Sequence, residues 1–189
     1  MRPSLIAFLD ANVLYPARLR DLLMHLALRR LFQPRWSARV HEEWMAAVLS
    51  DRSDLTVSQL QRTRGLMEEN IKDALVDGYE PIVDQLTLPD ADDRHVLAAA
   101  IHGRANVIIT ANLRDFPAEA LSPHDVEAVH PDAFVARFLE TEPAEVLGAL
   151  YELQRDLKKP PMTMGELLSL FERSGLVRTV AILRRLMKE

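Results

Sequence analysis

The sequence predicts an α/β fold that is followed by a small all-helical extension. Two short apolar runs, at 5–9 and 107–109, have the unbroken hydrophobicity of strands in a parallel sheet that is covered on both faces. Stretches between these runs repeat apolar residues at helical spacing, so strands alternate with helices along the chain. From Pro143 onward the pattern is helical throughout. We therefore expect a mainly parallel sheet in the first part of the chain only.

The first half begins with a strand and continues with helices. The predicted elements are, in order, a strand over 5–9 and helices over 16–31, 37–49 and 57–76. Pro34 breaks the first helical pattern, Ser37 is an N-cap candidate for the second helix, and Gly78 ends the third.

The second half of the α/β part returns to short apolar runs. The predicted elements are, in order, a strand over 82–86, a helix over 90–101, strands over 107–110 and 126–129, and a helix over 131–140. Asp90 is a good N-cap for the helix over 90–101, and Gly103 stops that helix.

The extension contains helices only. We predict helices over 143–157, from Thr163 to Gly175, and over 177–187. The run Lys158-Lys159-Pro160-Pro161 stops the first of these, and Thr163 and Glu166 have the spacing of a capping box. We therefore divide the chain into an α/β domain, 1–141, and a helical extension, 142–189.

The composition is that of an ordinary globular protein. The 189 residues are 48% hydrophobic and 27% charged, and they include no cysteine. The lack of cysteine excludes disulfides, zinc–thiolate sites and thiol nucleophiles. The longest aliphatic stretch, 96–101, is far shorter than a membrane span, and the N-terminus lacks the apolar core of a signal peptide. We expect a cytoplasmic protein without a membrane segment.

Charge is distributed unevenly along the chain. The formal net charge is −5, but the segment 18–39 carries six arginines and one acid, and 155–189 carries eight basic and four acidic residues. The middle of the chain is acidic. Basic flanks around an acidic centre suit a phosphate-bearing partner, although solvated helix faces would give the same pattern.

Acidic and amide side chains follow two of the predicted strands. Asp10 comes directly after the first strand, and Asn112 and Asp115 follow the strand at 107–110. The carboxyl ends of parallel strands share one edge of the sheet, so these side chains are expected near one another. Carboxylates that converge repel one another unless a cation lies among them, and hard divalent cations prefer oxygen ligands.

The same acids have simpler interpretations as helix caps. Asp10 or Asn12 could cap a helix or turn, and Asp90, Asp92 and Asp93 lie where the helix dipole favours negative charge. Asp93, however, precedes the apolar stripe of its helix at helical spacing, so its carboxylate points along the buried side. Burying an unpaired charge is costly, and a cation would compensate it.

Glu43 is the acid of the second helix that we expect to point inward. It falls at the edge of the apolar stripe that includes Val40 and Ala47, whereas Glu42 falls nearly opposite. The alternative is an ordinary exposed helix glutamate.

Other chemistries fit the sequence poorly. There is no glycine-rich phosphate loop, no Gly-x-Ser-x-Gly elbow and no His-Glu-x-x-His pair. His95 and His102 are two turns apart on one helix, so we interpret them as surface or packing residues rather than as a zinc pair.

Four motifs in this order resemble those of PIN-domain proteins, and more narrowly of VapC-type toxins of type II toxin–antitoxin systems. They are Phe8-Leu9-Asp10-Ala11-Asn12-Val13-Leu14, Ser37-x-x-Val40-x-x-Glu43, 88–100 (Leu-Pro-Asp-Ala-Asp-Asp-Arg-His-Val-Leu-Ala-Ala-Ala), and 107–117 (Val-Ile-Ile-Thr-Ala-Asn-Leu-Arg-Asp-Phe-Pro). The resemblance covers about the first 140 residues, and the helical tail resembles an extension found in one branch of these toxins.

The resemblance implies a three-layer α/β fold and a metal-dependent site. Asp10, Glu43 and Asp93 would form the acidic triad. The family often places a fourth acid two residues after the threonine, at the position of Asn112, so Asp115 is the available carboxylate and the fourth ligand stays open between these two. Thr110 and Asn12, with Asp90, would support the acids. Asp10, Asp93 and Asp115 would hold Mg²⁺ or Mn²⁺, while Glu43 holds or orients the attacking water.

The implied function is that of an endoribonuclease toxin. The resemblance suggests RNA as the substrate, products with a 5′-phosphate and a 3′-hydroxyl, a homodimer, and a cognate antitoxin protein. Two alternatives remain, namely a catalytically silent PIN-like module that binds RNA or protein, and a structure-specific DNA nuclease. Metal-independent RNA binding would favour the first, and preference for branched DNA would favour the second.

Overall fold

The computed structural model describes residues 5–158 and 160–188, so Lys159 of the predicted helix stop lies outside the described residues. The chain divides into two compact units. The first contains the chain up to Tyr15 together with Phe32–Val129, and the second contains Pro16–Leu31 together with the chain from His130. The predicted boundary after residue 141 stays a prediction. None of the helices in the described part of the chain is long and apolar enough to cross a lipid bilayer.

Strands and helices alternate in the first part of the chain, as an α/β fold requires. The strands are β1 (Ile6–Leu9), β2 (Gln33–Arg35), β3 (Val107–Ile109) and β4 (Glu127–Val129). The helices are α1 (Ala11–Leu14), α2 (Ala17–Leu28), α3 (Ala38–Asp51), α4 (Val57–Asn70), α5 (Glu80–Val83), α6 (Arg94–His102), α7 (Ala118–Leu121), α8 (Pro131–Thr141), α9 (Pro143–Asp156), α10 (Met164–Arg173) and α11 (Val177–Leu186).

The first unit is built on a parallel sheet with the strand order β2-β1-β3-β4. In the register, Phe8 pairs with Arg35 on one side and with Ile108 on the other. All three residues of β3 are buried, as are the last three residues of β1, which explains why these runs contain no polar residue. The predicted α/β fold class with a parallel sheet is confirmed.

Strand β2 was not predicted from the sequence. Pro34 lies in its centre and was interpreted only as a helix breaker. A proline has no N–H to donate, so it is tolerated on an edge strand such as β2. The backbone then continues this edge at Trp36, whose N–H donates to Ala74 O and whose carbonyl accepts from Val76 N.

Two other predictions about this unit are wrong. The predicted helix over 57–76 ends at Asn70, because the backbone of 74–76 bonds to Trp36 instead of continuing the helix. The predicted strand over 82–86 is replaced by helix α5 over Glu80–Val83. Pro81 lies in the first turn of α5, where its fixed φ and missing N–H suit a helix start.

In its described residues, the second unit is built from helices α2 and α8 to α11. Helix α2 packs on α9, and α8 packs on both α9 and α11. The predicted capping box of α10 is confirmed, since Glu166 N–H donates to Thr163 Oγ1 and Thr163 N–H donates to Glu166 Oε2. Arg29, which caps the C-terminus of α2, pairs with two glutamates of α9, Glu145 at 2.7 Å and Glu152 at 2.8 Å.

Candidate metal centre

Asp10 is held in place at the carboxyl end of β1. Its Oδ1 accepts a hydrogen bond from Ala11 N–H at 2.7 Å, and its Oδ2 accepts from Asn12 Nδ2 at 2.7 Å and from Thr110 Oγ1 at 2.8 Å. Asp10 is 6% exposed. Burial raises the pKa of its carboxyl group, and the hydrogen bonds from Thr110 and Ala11 offset part of that rise. Asp10 therefore caps α1, as the simpler interpretation expected, and also presents a buried carboxylate at this edge.

Asn12 and Thr110 tie the ends of β1 and β3 together. Asn12 Nδ2 donates to Thr110 Oγ1 at 3.0 Å, and Asn12 Oδ1 accepts from Ala111 N–H at 3.0 Å. Asn112 N–H donates to Thr110 Oγ1 at 3.0 Å. These bonds fix the two loops that carry Asp10 and Asn112, which is the geometry that a supporting role for Asn12 and Thr110 requires.

Three other carboxylates converge nearby. One oxygen from each of Asp90, Asp93 and Asp115 lies within 4.8 Å of the others, and we call these three residues the acidic cluster. Asp90 also caps the turn before α6 by accepting from Asp92 N–H at 2.9 Å. The sequence predicted Asp90 only as a supporting residue, and its place in the acidic cluster makes it a ligand candidate. Asp10 lies outside this group of three.

Asp10 interacts electrostatically with the acidic cluster, because its negative charge contributes to the raised pKa of Asp93. Burial, together with the negative charges of Asp10, Asp115 and Asp90, raises that pKa to about 6. A cation among carboxylates that raise one another's pKa in this way would stabilise their charged forms. The donor set consists of oxygens alone, which fits a hard divalent cation such as Mg²⁺ or Mn²⁺.

The fourth position was left open between Asn112 and Asp115. Asp115 contributes an oxygen to the acidic cluster, whereas Asn112 Nδ2 donates to Asp115 Oδ2. Asp115 is thus the carboxylate at the cluster, and Asn112 is in contact with it. The structure therefore favours Asp115 as the ligand candidate, with Asn112 as its support.

The side chain of Glu43, in α3, contacts helix α6. Its Oε1 lies 3.0 Å from Arg39 Nε and 2.9 Å from His95 Nε2 of α6. Burial acts to raise the pKa of Glu43, but the hydrogen bonds and positive charges of His95 and Arg39 outweigh it, so the pKa lies below its usual value. The negative charge of Glu43 in turn acts to raise the pKa of Asp10, as expected of carboxylates that face one region.

His95 is the residue of this site that the sequence interpretation missed. We described it as a surface or packing residue, and the structure buries it but also joins it to Glu43. A signal was present in the sequence, because His95 follows Asp93 by two residues and lies three and four residues before Ala98 and Ala99. That helix face of small apolar residues is buried, so a histidine on it needs a polar partner.

Two models of known protein families match the chain. A family model described as PIN domain matches residues 7–114, which is more than half of the chain. The chain belongs to the PIN-domain family. A second model, described as VapC50 C-terminal domain, matches residues 131–185 of this PIN-domain protein. These matches confirm the resemblance that the sequence motifs indicated.

One relative of this PIN-domain protein is named "Putative ribonuclease VapC50" and comes from Mycobacterium tuberculosis (strain ATCC 25618 / H37Rv). The two chains are 41% identical over 76 residues, which cover 40% of this chain and 45% of the relative. The match thus spans less than half of the relative's length. No solved structure matches the chain with significance.

Proposed function

We propose that this PIN-domain protein is a metal-dependent endoribonuclease that acts as the toxin of a toxin–antitoxin pair in the cytoplasm. The observation that carries the proposal is the gathering of Asp10, Glu43 and the acidic cluster, where Asp93 has a pKa of about 6. Unneutralised carboxylates repel a phosphate, so this group of acids suits a nucleic-acid substrate only with a cation. RNA as the substrate is supported by the name of the relative.

In this proposal the aspartates bind the cation, and Glu43 orients the attacking water. The cluster residues Asp93 and Asp115, with Asp90 and the Asp10 carboxylate, would hold Mg²⁺ or Mn²⁺. When bound, such an ion lowers the pKa of a ligated water and offsets charge on the phosphate. Glu43, kept ionised by its lowered pKa, accepts a hydrogen bond from the attacking water and orients it toward phosphorus. The new bond joins the water oxygen to phosphorus and the bond to the 3′-oxygen breaks, while the water gives up a proton to solvent and the 3′-oxygen takes one from solvent.

The products are then a 5′-phosphate and a 3′-hydroxyl, as the family resemblance suggests. Partners are part of the same proposal, namely a cognate antitoxin protein that silences the nuclease and a second copy of the chain in a homodimer. The match to a VapC50 C-terminal domain over 131–185 supports a toxin of this kind.

The test is cleavage of total cellular RNA by purified, antitoxin-free protein in Mg²⁺, in Mn²⁺ and in EDTA. Asp93→Asn is run beside Asp92→Asn, a matched control whose side chain lies in the same turn but outside the acidic cluster. We expect discrete fragments that require metal, vanish with Asp93→Asn and persist with Asp92→Asn. Metal-independent RNA binding without cleavage would instead indicate a binding module, and a preference for branched DNA would indicate a DNA nuclease.

A further inference from the structure

His95 is in contact with the site through a single ring nitrogen. It belongs to α6, the helix that begins directly after Asp93, and its side chain is 2% exposed. His95 Nε2 lies 2.9 Å from Glu43 Oε1. Since a carboxylate oxygen can only accept, Nε2 carries the proton of this hydrogen bond.

The other ring nitrogen has no such contact. His95 Nδ1 is buried and has no hydrogen-bond partner among the residues that the structure describes. A buried polar atom without a partner costs free energy that an apolar side chain of similar size would avoid. The unpartnered Nδ1 therefore gives no reason for a histidine at this place, so the reason lies in the Nε2 contact.

Both groups that hold Glu43 contact the same oxygen. Arg39 Nε and His95 Nε2 each approach Oε1, which leaves Oε2 without a hydrogen bond or ion pair among the described residues. The Arg39 side chain is 47% exposed, so solvent competes for it and its geometry is loosely held. The buried ring of His95 is fixed by packing, so it sets the direction in which Oε2 points.

We propose that His95 is the positioning residue for Glu43, and that its Nε2 hydrogen bond to Oε1 aims Oε2 at the attacking water. This inference requires the proposed nuclease function, since it assigns how one of the acids of that site is oriented. His95 itself touches neither substrate nor metal in this account. Its whole effect on the reaction passes through Glu43.

The test is a double-mutant cycle on RNA cleavage with His95→Leu, Glu43→Gln and the combined variant, each in saturating Mn²⁺. We expect His95→Leu to lower kcat by about 10- to 100-fold, the range for losing a hydrogen bond that orients a site residue. The KM for RNA should stay within about twofold, because His95 is too buried to touch substrate. In the Glu43→Gln background, His95→Leu should change kcat by no more than about twofold.

The cycle separates positioning from a structural role. His95→Leu removes both the unpartnered Nδ1 and the Nε2 hydrogen bond, whose effects on stability oppose each other, so the melting temperature should change little. His95→Asn, whose shorter amide falls short of Glu43, should lose kcat similarly, whereas His95→Gln should recover part of it. His102→Leu, on the exposed face of the same helix, is the matched control and should behave as wild type.

Two results would overturn the inference. One is an equal loss of kcat from His95→Leu, or from His95→Asn if the leucine variant does not fold, with and without Glu43. The other is a loss of activity that only follows a lower melting temperature. If the wild-type protein itself cleaves no RNA, the proposed nuclease function is wrong. If wild type cleaves RNA but the cycle gives either of the two results above, only the role of His95 is wrong.

Discussion

Asp132 and Asp93, in different units of the molecule, have carboxylates in opposite electrostatic environments. Asp132, in the first turn of α8, accepts the backbone N–H groups of Arg178 at 2.9 Å and Thr179 at 2.8 Å, at the start of α11. Asp93, at the start of α6, accepts no hydrogen bond from the described residues on its carboxylate and lies among other acids. The Asp132 carboxylate satisfies two backbone N–H groups, whereas the charge of the Asp93 carboxylate is disfavoured by burial and by the acids around it.

The difference shows how a structural acid is told from a candidate functional one. Both residues precede or begin a helix, where the dipole favours a negative charge, so position alone does not separate them. The surroundings do, because Asp132 satisfies two donors that would otherwise be unpaired, while Asp93 is crowded by carboxylates that raise its pKa to about 6. Repulsion of this kind is relieved by a cation.

The largest effect that we expect is on cleavage. Asp93→Asn should lower kcat/KM on RNA by roughly 10³-fold or more, since charge stabilisation by a held metal contributes several kcal/mol. The melting temperature should stay the same or rise, because the change removes repulsion. Single-turnover cleavage and thermal unfolding of Asp93→Asn and Asp92→Asn measure both. Full activity in Asp93→Asn would remove the metal-site interpretation.

Substitution of Asp132, the structural acid of the comparison, should affect stability alone. Asp132→Ala leaves two N–H groups at the start of α11 without their acceptor, so the free energy of unfolding should fall by about 2 kcal/mol. Urea denaturation measures the loss, and Mn²⁺ affinity should be unchanged. Asp132→Asn keeps one acceptor oxygen and should lose less. An unchanged unfolding midpoint for Asp132→Ala would show that the cap contributes nothing.

The raised pKa of Asp93 predicts a pH dependence. Below pH 6 its carboxyl group is protonated, so Mn²⁺ affinity should fall by roughly tenfold per pH unit there. Asp93→Asn should lack this dependence. Calorimetric titration at pH 5 and pH 7.5 measures it. An equal affinity at both values would contradict the raised pKa.

The same shift has a consequence for the metal-free protein. The folded state holds the Asp93 proton up to about pH 6, whereas an unfolded aspartate releases it near 3.8. Between these values the folded state binds more protons, so this group makes the protein less stable as pH rises from 4 to 6. Chemical denaturation across this range, compared with Asp93→Asn, should show that contribution disappear in the variant.

The smallest expected effect concerns the capping box of α10. Thr163→Ala removes the hydroxyl that accepts from Glu166 N–H at 3.3 Å, and it should lower the free energy of unfolding by about 1 kcal/mol. Thr163→Ser keeps the hydroxyl and is the matched control. Equal unfolding midpoints for the alanine and serine variants would show that the capping box adds no stability.

The sequence predicted those parts of the fold that depend on local patterns. The buried runs of β1 and β3 and the cap at Ser37 were found because strand hydrophobicity and capping chemistry are local properties. Strand β2 was missed because its three residues centre on Pro34. The run 82–86 was misread because a few apolar residues look alike in a strand and in a short helix.

The same limit applies to the candidate site. Asp10 and Asp115 could be expected near one another because parallel strands bring their carboxyl ends to one edge. The contact between His95 and Glu43 joins two helices, and its existence depends on how α3 and α6 lie against each other. The bond from Asp132 to the start of α11 is of the same kind, spanning 46 residues in the chain. Neither of these two contacts can be predicted from a local sequence pattern.

In the proposed function, these carboxylates gather to hold a divalent cation. Mn²⁺ binding to metal-free protein can be measured by calorimetry on wild type, Asp93→Asn and Asp92→Asn at pH 7.5. We expect that wild type and Asp92→Asn bind alike and that Asp93→Asn binds at least about tenfold more weakly. Wild-type protein that binds no Mn²⁺, or an Asp93→Asn variant that binds it equally well, would show that the carboxylates do not form a metal site.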